Sequence, residues 1–275
     1  MRFQSKASIL YMFRNFARLF FVTLPVSVLL AFCANPNAEA DLFVKLVSGA
    51  INEENCFDEF AKSFTVLRFV QWRWWVILVA LFAVVALAYT MCVMVVKIDR
   101  HMRIGNMPVL PLKRAARIFP MMLLFTAGWI VVVEVFMLII VGIVYMLRIL
   151  PSPELTVGIG LGLTVVARAI LTYFFGLLII TLPLKYSDTY RFNVALSYSA
   201  RTMVSKNGKL ILFSLFYVFA RYAVMAIAYF ARPLDFLIYT VSILMALTYV
   251  PCFAFKQYYD DVGGERRDVS QIMFG

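Results

Sequence analysis

Residues 74–96 read WWVILVALFAVVALAYTMCVMVV, a run with no Asp, Glu, Lys or Arg. A helix needs about 20 mainly apolar residues to cross a hydrocarbon core about 30 Å thick, so this run has the length and character of one crossing. Five further stretches, at 19–34, 119–147, 155–184, 210–231 and 234–255, share that character. The composition agrees: of 275 residues 63% are hydrophobic and only 15% charged, against roughly 45–50% apolar in a soluble domain. A soluble globule is excluded, and the 26 Phe, 14 Tyr and 4 Trp exclude a disordered chain. The expected fold is all-α: a polytopic transmembrane bundle of six helices forming a single integral membrane domain over 1–275.

Pro120 falls in the first turn of the third predicted helix, where proline is tolerated. The break at Arg232-Pro233 separates the last two helices. The first stretch is short and contains Pro25, and residues 9–16 can lead into it along the membrane surface. A cleaved signal peptide is the competing reading, because Ala38-Glu39-Ala40 has the small-x-small form of a cleavage site. Against it, the basic stretch ahead of the apolar run is long, and Met12, Phe13 and Phe16 make it amphipathic. Leu30-Ala31-Phe32-Cys33 departs from a lipoprotein box, since Phe32 stands where a small residue is wanted.

Orientation follows from the positive residues, which are retained on the cytoplasmic side during insertion. The segments before the first helix, between the second and third, between the fourth and fifth, and after the sixth carry 18 Lys and Arg, while the opposite side carries 6. Both termini are therefore expected in the cytoplasm. The net charge of +11 records this sorting and does not by itself indicate an anionic partner. Nucleic acid is not an expected partner, because the basic residues are spread among membrane-flanking loops.

The outer segment, 35–73, is weakly helical and too small for a separate enzyme domain. Trp72, Trp74 and Trp75 mark its junction with the membrane. On the other side, 187–207 has the pattern of an interfacial amphipathic helix before the fifth crossing. Ser187 or Asp188 is placed to cap it, Phe192, Leu196 and Met203 share a face, and Asn207-Gly208 can end it. Arg191, Arg201 and Lys206 would then contact lipid head groups or a protein partner at the cytoplasmic face. Arg14-Asn15-Phe16-Ala17-Arg18, Lys113-Arg114-Ala115-Ala116-Arg117 and Lys206-Asn207-Gly208-Lys209 each lead into an odd-numbered crossing. Three repeated hairpins would explain this; so would the plain need of each such helix for basic flanks.

Three charges lie inside the apolar runs: Glu134, Arg168 and Arg221. Each costs at least about 2.5–3.5 kcal/mol to insert, so such groups pair or serve a function. Counting about 1.5 Å per residue from the helix ends brings Glu134 and Arg168 to one depth, and leaves Arg221 close enough either to join them or to snorkel toward the outer interface. A structural pair of Glu134 with one arginine is the plainer reading. A polar pocket in which two guanidiniums outnumber one carboxylate, suited to a phosphate or carboxylate, is the sharper one.

Gly158-Ile159-Gly160-Leu161-Gly162 lacks the strand a nucleotide fingerprint requires, and Gly158 and Gly162 instead suit close helix packing. Pro25 and Pro251 could bend their helices. His101 is the only histidine, no metal site or phosphate loop is completed, and Glu53-Glu54 lacks the partners of a membrane protease. The expectation is therefore no enzyme, no cofactor and no metal. Cys33 and Cys56 could form a disulfide on the outer side, whereas Cys92 and Cys252 read as packing residues.

Ala195-Leu196-Ser197-Tyr198-Ser199-Ala200-Arg201, the Lys206-Asn207-Gly208 turn, two membrane helices and the ending from Pro251 to Gln257-Tyr258-Tyr259-Asp260 form a connected pattern. Over residues 190–261 it resembles bacterial six-helix membrane proteins related to the membrane domain of glycerophosphodiester phosphodiesterases. The resemblance implies a module of the bacterial inner, cytoplasmic, membrane. It implies no hydrolysis, because the soluble phosphodiesterase domain has no counterpart here. Two functional expectations follow: a non-enzymatic module recruiting or stabilising protein partners through its basic cytoplasmic face, or a transporter or lipid-handling protein using Glu134, Arg168 and Arg221.

Overall fold

In hydrocarbon a backbone can satisfy its own polar groups as a helix, and among the described residues every regular element is helical, with no strand. The computed structural model describes residues 4–33, 38–51, 56–64, 74–109, 111–147, 152–187 and 191–262. The helices are α1 (Ser5–Arg14), α2 (Phe16–Cys33), α3 (Ala38–Val47), α4 (Cys56–Phe64), α5 (Trp74–Ile104), α6 (Leu112–Met146), α7 (Pro153–Leu178), α8 (Thr181–Ser187), α9 (Phe192–Val204), α10 (Asn207–Phe230) and α11 (Asp235–Val262). Five spans, formed by α5, α6, α7 with α8, α10 and α11, are long and apolar enough to cross a membrane. The pair α1 and α2, bent by 91° at Asn15, is the sixth candidate. The chain is thus a membrane-integral all-α bundle.

Several helices run past the predicted bounds. The second crossing continues from 96 to Ile104, and the sixth from 255 to Val262. The third begins at Leu112 instead of 119, which puts Pro120 inside the helix. The hydrogen bond Pro120 cannot make would have gone to the Ala116 carbonyl, four residues back. Ala116 is exposed on the surface of α6. With 31 residues in α5 and 35 in α6, these helices measure about 46 and 52 Å. They therefore project beyond the hydrocarbon, and their extensions carry the basic residues first assigned to loops. The fourth crossing breaks at Ile179-Ile180 between α7 and α8.

Local chemistry accounts for the clearest boundaries. Ser152 accepts a hydrogen bond from the Leu155 amide at the start of α7, with Pro153 in the first turn. Gly105 follows α5 with φ 78° and donates to the His101 carbonyl, a left-handed helix stop that favours glycine. Two boundary expectations fail around α9. It starts at Phe192 behind Arg191, with no side-chain cap, and Asn207 opens α10 instead of ending α9. Ser187 donates to Asp99, and Asp188 lies outside the described residues.

Neighbouring helices pack in the cyclic order α2, α5, α6, α7, α10, α11 and back to α2, with α5 also touching α11 across the ring. Toward the basic end the ring is filled by one apolar core that includes Leu19, Met94, Ile98, Leu184, Met203, Phe253 and Phe255. Toward the opposite end α3 and α4 fold inward against α6, α7 and α10. There Leu42, Ile51 and Phe60 meet Met137, Ile140, Val144, Val157 and Leu171 in a second core. Within the outer segment, α3 and α4 are therefore integral parts of the bundle. Gly160, more than Gly158 or Gly162, is the packing glycine: a Cβ on it would stand 2.6 Å from both Phe60 and Val144, whereas the other two have open space. Outward faces such as Leu212, Phe216, Phe219 and Phe230 of α10 are exposed and apolar, as a lipid-facing surface requires.

The basic leads into the crossings take different forms. Arg14-Asn15-Phe16-Ala17-Arg18 spans the bend between α1 and α2, Lys206-Asn207-Gly208-Lys209 lies at the start of α10, and Lys113-Arg114-Ala115-Ala116-Arg117 lies in the opening turns of continuous α6. Pro25 and Pro251 sit inside α2 and α11. Trp72 and Glu53-Glu54, and the side chains of Trp74 and Trp75, lie outside the described residues.

Candidate functional site

Arg168 lies on α7 beside the buried stripe of Thr164, Ala167 and Leu171. Arg221 continues the buried stripe of Ser214 and Val218 on α10, on the side away from Phe216, Phe219 and Phe230. The two arginines bond the same carboxylate. The carboxylate joining them belongs to Glu39 of α3, a residue assigned from sequence to the outer segment and the signal-peptide-like triplet. Arg168 embraces it with two parallel bonds, Nη1 to Oε2 and Nη2 to Oε1. Arg221 Nη2 donates to Oε1 at 3.0 Å. Arg168 Nη1 also donates to the Tyr222 hydroxyl at 3.1 Å, and its guanidinium lies 5.8 Å from that ring's centroid.

Glu134 is buried on α6 in the face shared with Met137, Ile140 and Val141. The carboxylate that bonds both arginines is thus one the predicted cluster did not include, from another helix. Its origin changes the reach of the site, because α3 is too short to span and enters the bundle from the end opposite the basic loops. Further pairs fix that helix: Asp41 with Arg232 at 3.3 Å and Lys45 with Glu59 at 2.6 Å.

Exposure differs sharply within the cluster. The Glu39 and Arg168 side chains are 8% and 14% exposed, but Arg221 is 45% exposed despite lying on the inward stripe of α10. Arg221 is therefore the accessible member of the cluster, and Arg168 and Glu39 are its buried members. The shallow groove lined by Leu46, Ser152, Glu154, Leu155, Gly158 and Ile159 contains neither arginine.

Burial pushes the Glu39 carboxyl up, but bonds and charges from Arg168 and Arg221 outweigh it and hold the group below its ordinary value. A carboxyl with a depressed folded pKa stabilises the fold above its unfolded value, and that contribution is lost as pH falls through the folded value. The wild type should therefore lose stability as pH drops below about 4.5, and Glu39→Gln should lack that part of the loss. Thermal unfolding of both proteins from neutral to acidic pH measures the difference; parallel curves would assign the loss to other carboxyls.

A second polar layer crosses the basic end. Lys97 donates to the carbonyls of Arg18 and Val109 at 3.0 and 3.1 Å. Asp99 accepts from Ser187 at 2.7 Å and from Tyr259 at 2.8 Å. Lys206 turns inward to Asp261 at 2.6 Å, their side chains 4% and 2% exposed, so it is not the head-group contact its position suggested. Arg191 and Arg201 do remain exposed on α9. Cys92 and Cys252 are buried packing residues, and Cys56 is buried at the start of α4. The Cys33 side chain is outside the described residues, so the Cys33–Cys56 disulfide falls there too. His101 bonds to the Tyr11 hydroxyl at 2.8 Å. Among the described residues no three His, Cys, Asp or Glu gather to hold a metal ion.

These features define a membrane-integral helical protein with an ion-paired cluster at one end of its bundle and a buried polar layer at the other. The chain matches no family model, no curated protein and no solved structure.

Proposed function

We propose that this is a non-enzymatic protein of the bacterial cytoplasmic membrane that binds the carboxylate or phosphate of a solute or lipid head group between α7 and α10. The observation that carries this reading is the Glu39 carboxylate held by both Arg168 and Arg221, with Arg221 half exposed. Two guanidiniums recognise oxyanions through directed donors, and Glu39 occupies them as a tethered anion would, while the Tyr222 hydroxyl accepts from Arg168. Tethering gives that carboxylate an effective concentration of about millimolar or more, so an external anion competes poorly while Glu39 is ionised and in place. The basic end faces the cytoplasm, as the 18-to-6 distribution of Lys and Arg supports. Ligand then arrives from the outer side.

Purified full-length protein provides the test. Thermal unfolding is followed while phosphate, acetate or phosphatidylglycerol is titrated. Glu39→Gln should be stabilised saturably by at least one of these anions, at lower concentration than the wild type, and adding Arg168→Gln should abolish that gain over the wild type. If no anion stabilises Glu39→Gln more than the wild type, the cluster is a structural ion pair. Recruitment of a protein partner at the basic face is the second reading. It is favoured by Arg191 and Arg201 lying exposed beside Val194, Tyr198 and Val204, and a stoichiometric partner retained through gentle extraction would support it.

A further inference from the structure

The basic end holds a group of arginines that the Glu39 cluster does not use. Arg100 and Arg103 lie one turn apart near the end of α5, and Arg114 lies in the first turn of α6, the packed neighbour joined to α5 by a short connection. The Tyr186 hydroxyl of α8 stands in the field of all three guanidiniums and of Asp99. Among the described residues Asp99 is the carboxylate at this place, and its oxygens already serve Ser187, Tyr259 and, at 3.8 Å, Arg103. Among the same residues Arg100 Nε is buried with no hydrogen-bond partner. A buried guanidinium N–H is costly to leave unmatched, and there three guanidiniums face one committed carboxylate. Exposed Ile104, Val109 and Leu112 border the group, giving an apolar edge beside the cationic one.

We infer that Arg100, Arg103, Arg114 and Tyr186 form a second anion site, at the basic membrane surface, for a phosphate monoester or diester. Arginine supplies paired donors matched to phosphate oxygens, and the apolar border suits an acyl-bearing molecule whose head group lies at that level. This site is independent of Glu39, Arg168 and Arg221.

The test uses the full-length protein in neutral detergent. Native mass spectrometry and thermal unfolding are recorded with phosphatidylglycerol, phosphatidylcholine and inorganic phosphate. Phosphatidylglycerol should give a saturable adduct and raise Tm, and phosphatidylcholine should do neither. If inorganic phosphate reproduces the rise, the site stands and takes the free ion; if it does not, the site takes the lipid. Arg100→Gln with Arg114→Gln should weaken binding at least about tenfold. Lys113→Gln with Arg117→Gln makes the same charge change on exposed residues of α6 and should leave binding unchanged. Exposed Arg114→Gln alone, which spares the buried donor, should also weaken it. Equal weakening by both double variants, or none by either Arg114 variant, overturns the inference. Glu39→Gln should bind at this site as the wild type does.

Discussion

Arg168→Gln should destabilise the protein by about 3–5 kcal/mol, the scale for removing one partner of a buried ion pair. The effect is large because Glu39 stays behind: its side chain is 8% exposed, and Arg168 supplies two of the charged bonds that hold it. Arg221 alone does not compensate, since it gives one bond at 3.0 Å from a side chain 45% exposed and partly screened by solvent. Arg168→Lys keeps the charge but loses the planar fork and should recover only part of the stability. Reversible denaturant unfolding in detergent reads both values. A loss below about 1 kcal/mol, as for a solvent-exposed pair, would mean that Glu39 does not sit in the bundle as described.

Lys206→Met should cost a comparable amount, about 3–5 kcal/mol, at the opposite end of the molecule. Lys206 reaches both Asp261 oxygens, at 2.6 and 2.8 Å, and Gln257 donates to the same carboxylate at 3.2 Å. The bonds tie the turn before α10 to the end of α11, and Gln257 in turn accepts from the Gln4 amide at 3.2 Å. Methionine leaves a buried carboxylate without its cation. Adding Asp261→Asn should restore much of the stability, because removing both charges avoids the uncompensated one. A head-group contact behaves otherwise: its loss costs about 1 kcal/mol at most, only with anionic lipid present, and Asp261→Asn does not rescue it.

The spanning helices were legible because lipid imposes a length and a polarity that few other structures require. Arg168 and Arg221 stood out for the same reason, as charges within apolar runs. Glu39 did not. It lies in a short helix of mixed polarity, 129 residues from Arg168, where an acid attracts no notice. One cue was present: Glu39 and Leu42, three apart, share a helical face, and both are buried, so the carboxylate lies on the apolar side of α3. Lys97 and Asp99 fell between the second and third apolar runs, because such runs end where lipid ends while α5 continues beyond it; Lys206 was read as a surface contact because its partner Asp261 lies beyond the last apolar run, on the extension of α11. The identity of the packing glycine needed tertiary information. Gly160 is selected by Phe60, which arrives on α4 from 100 residues earlier.

The most direct measurement is a double-mutant cycle between Glu39 and Arg168, with unfolding free energies of the wild type, Glu39→Gln, Arg168→Gln and the double variant. A carboxylate embraced by that guanidinium predicts a coupling of about 2 kcal/mol or more. Additivity within about 0.5 kcal/mol, the behaviour of residues with no shared contact, would contradict the pairing on which the anion-binding proposal rests.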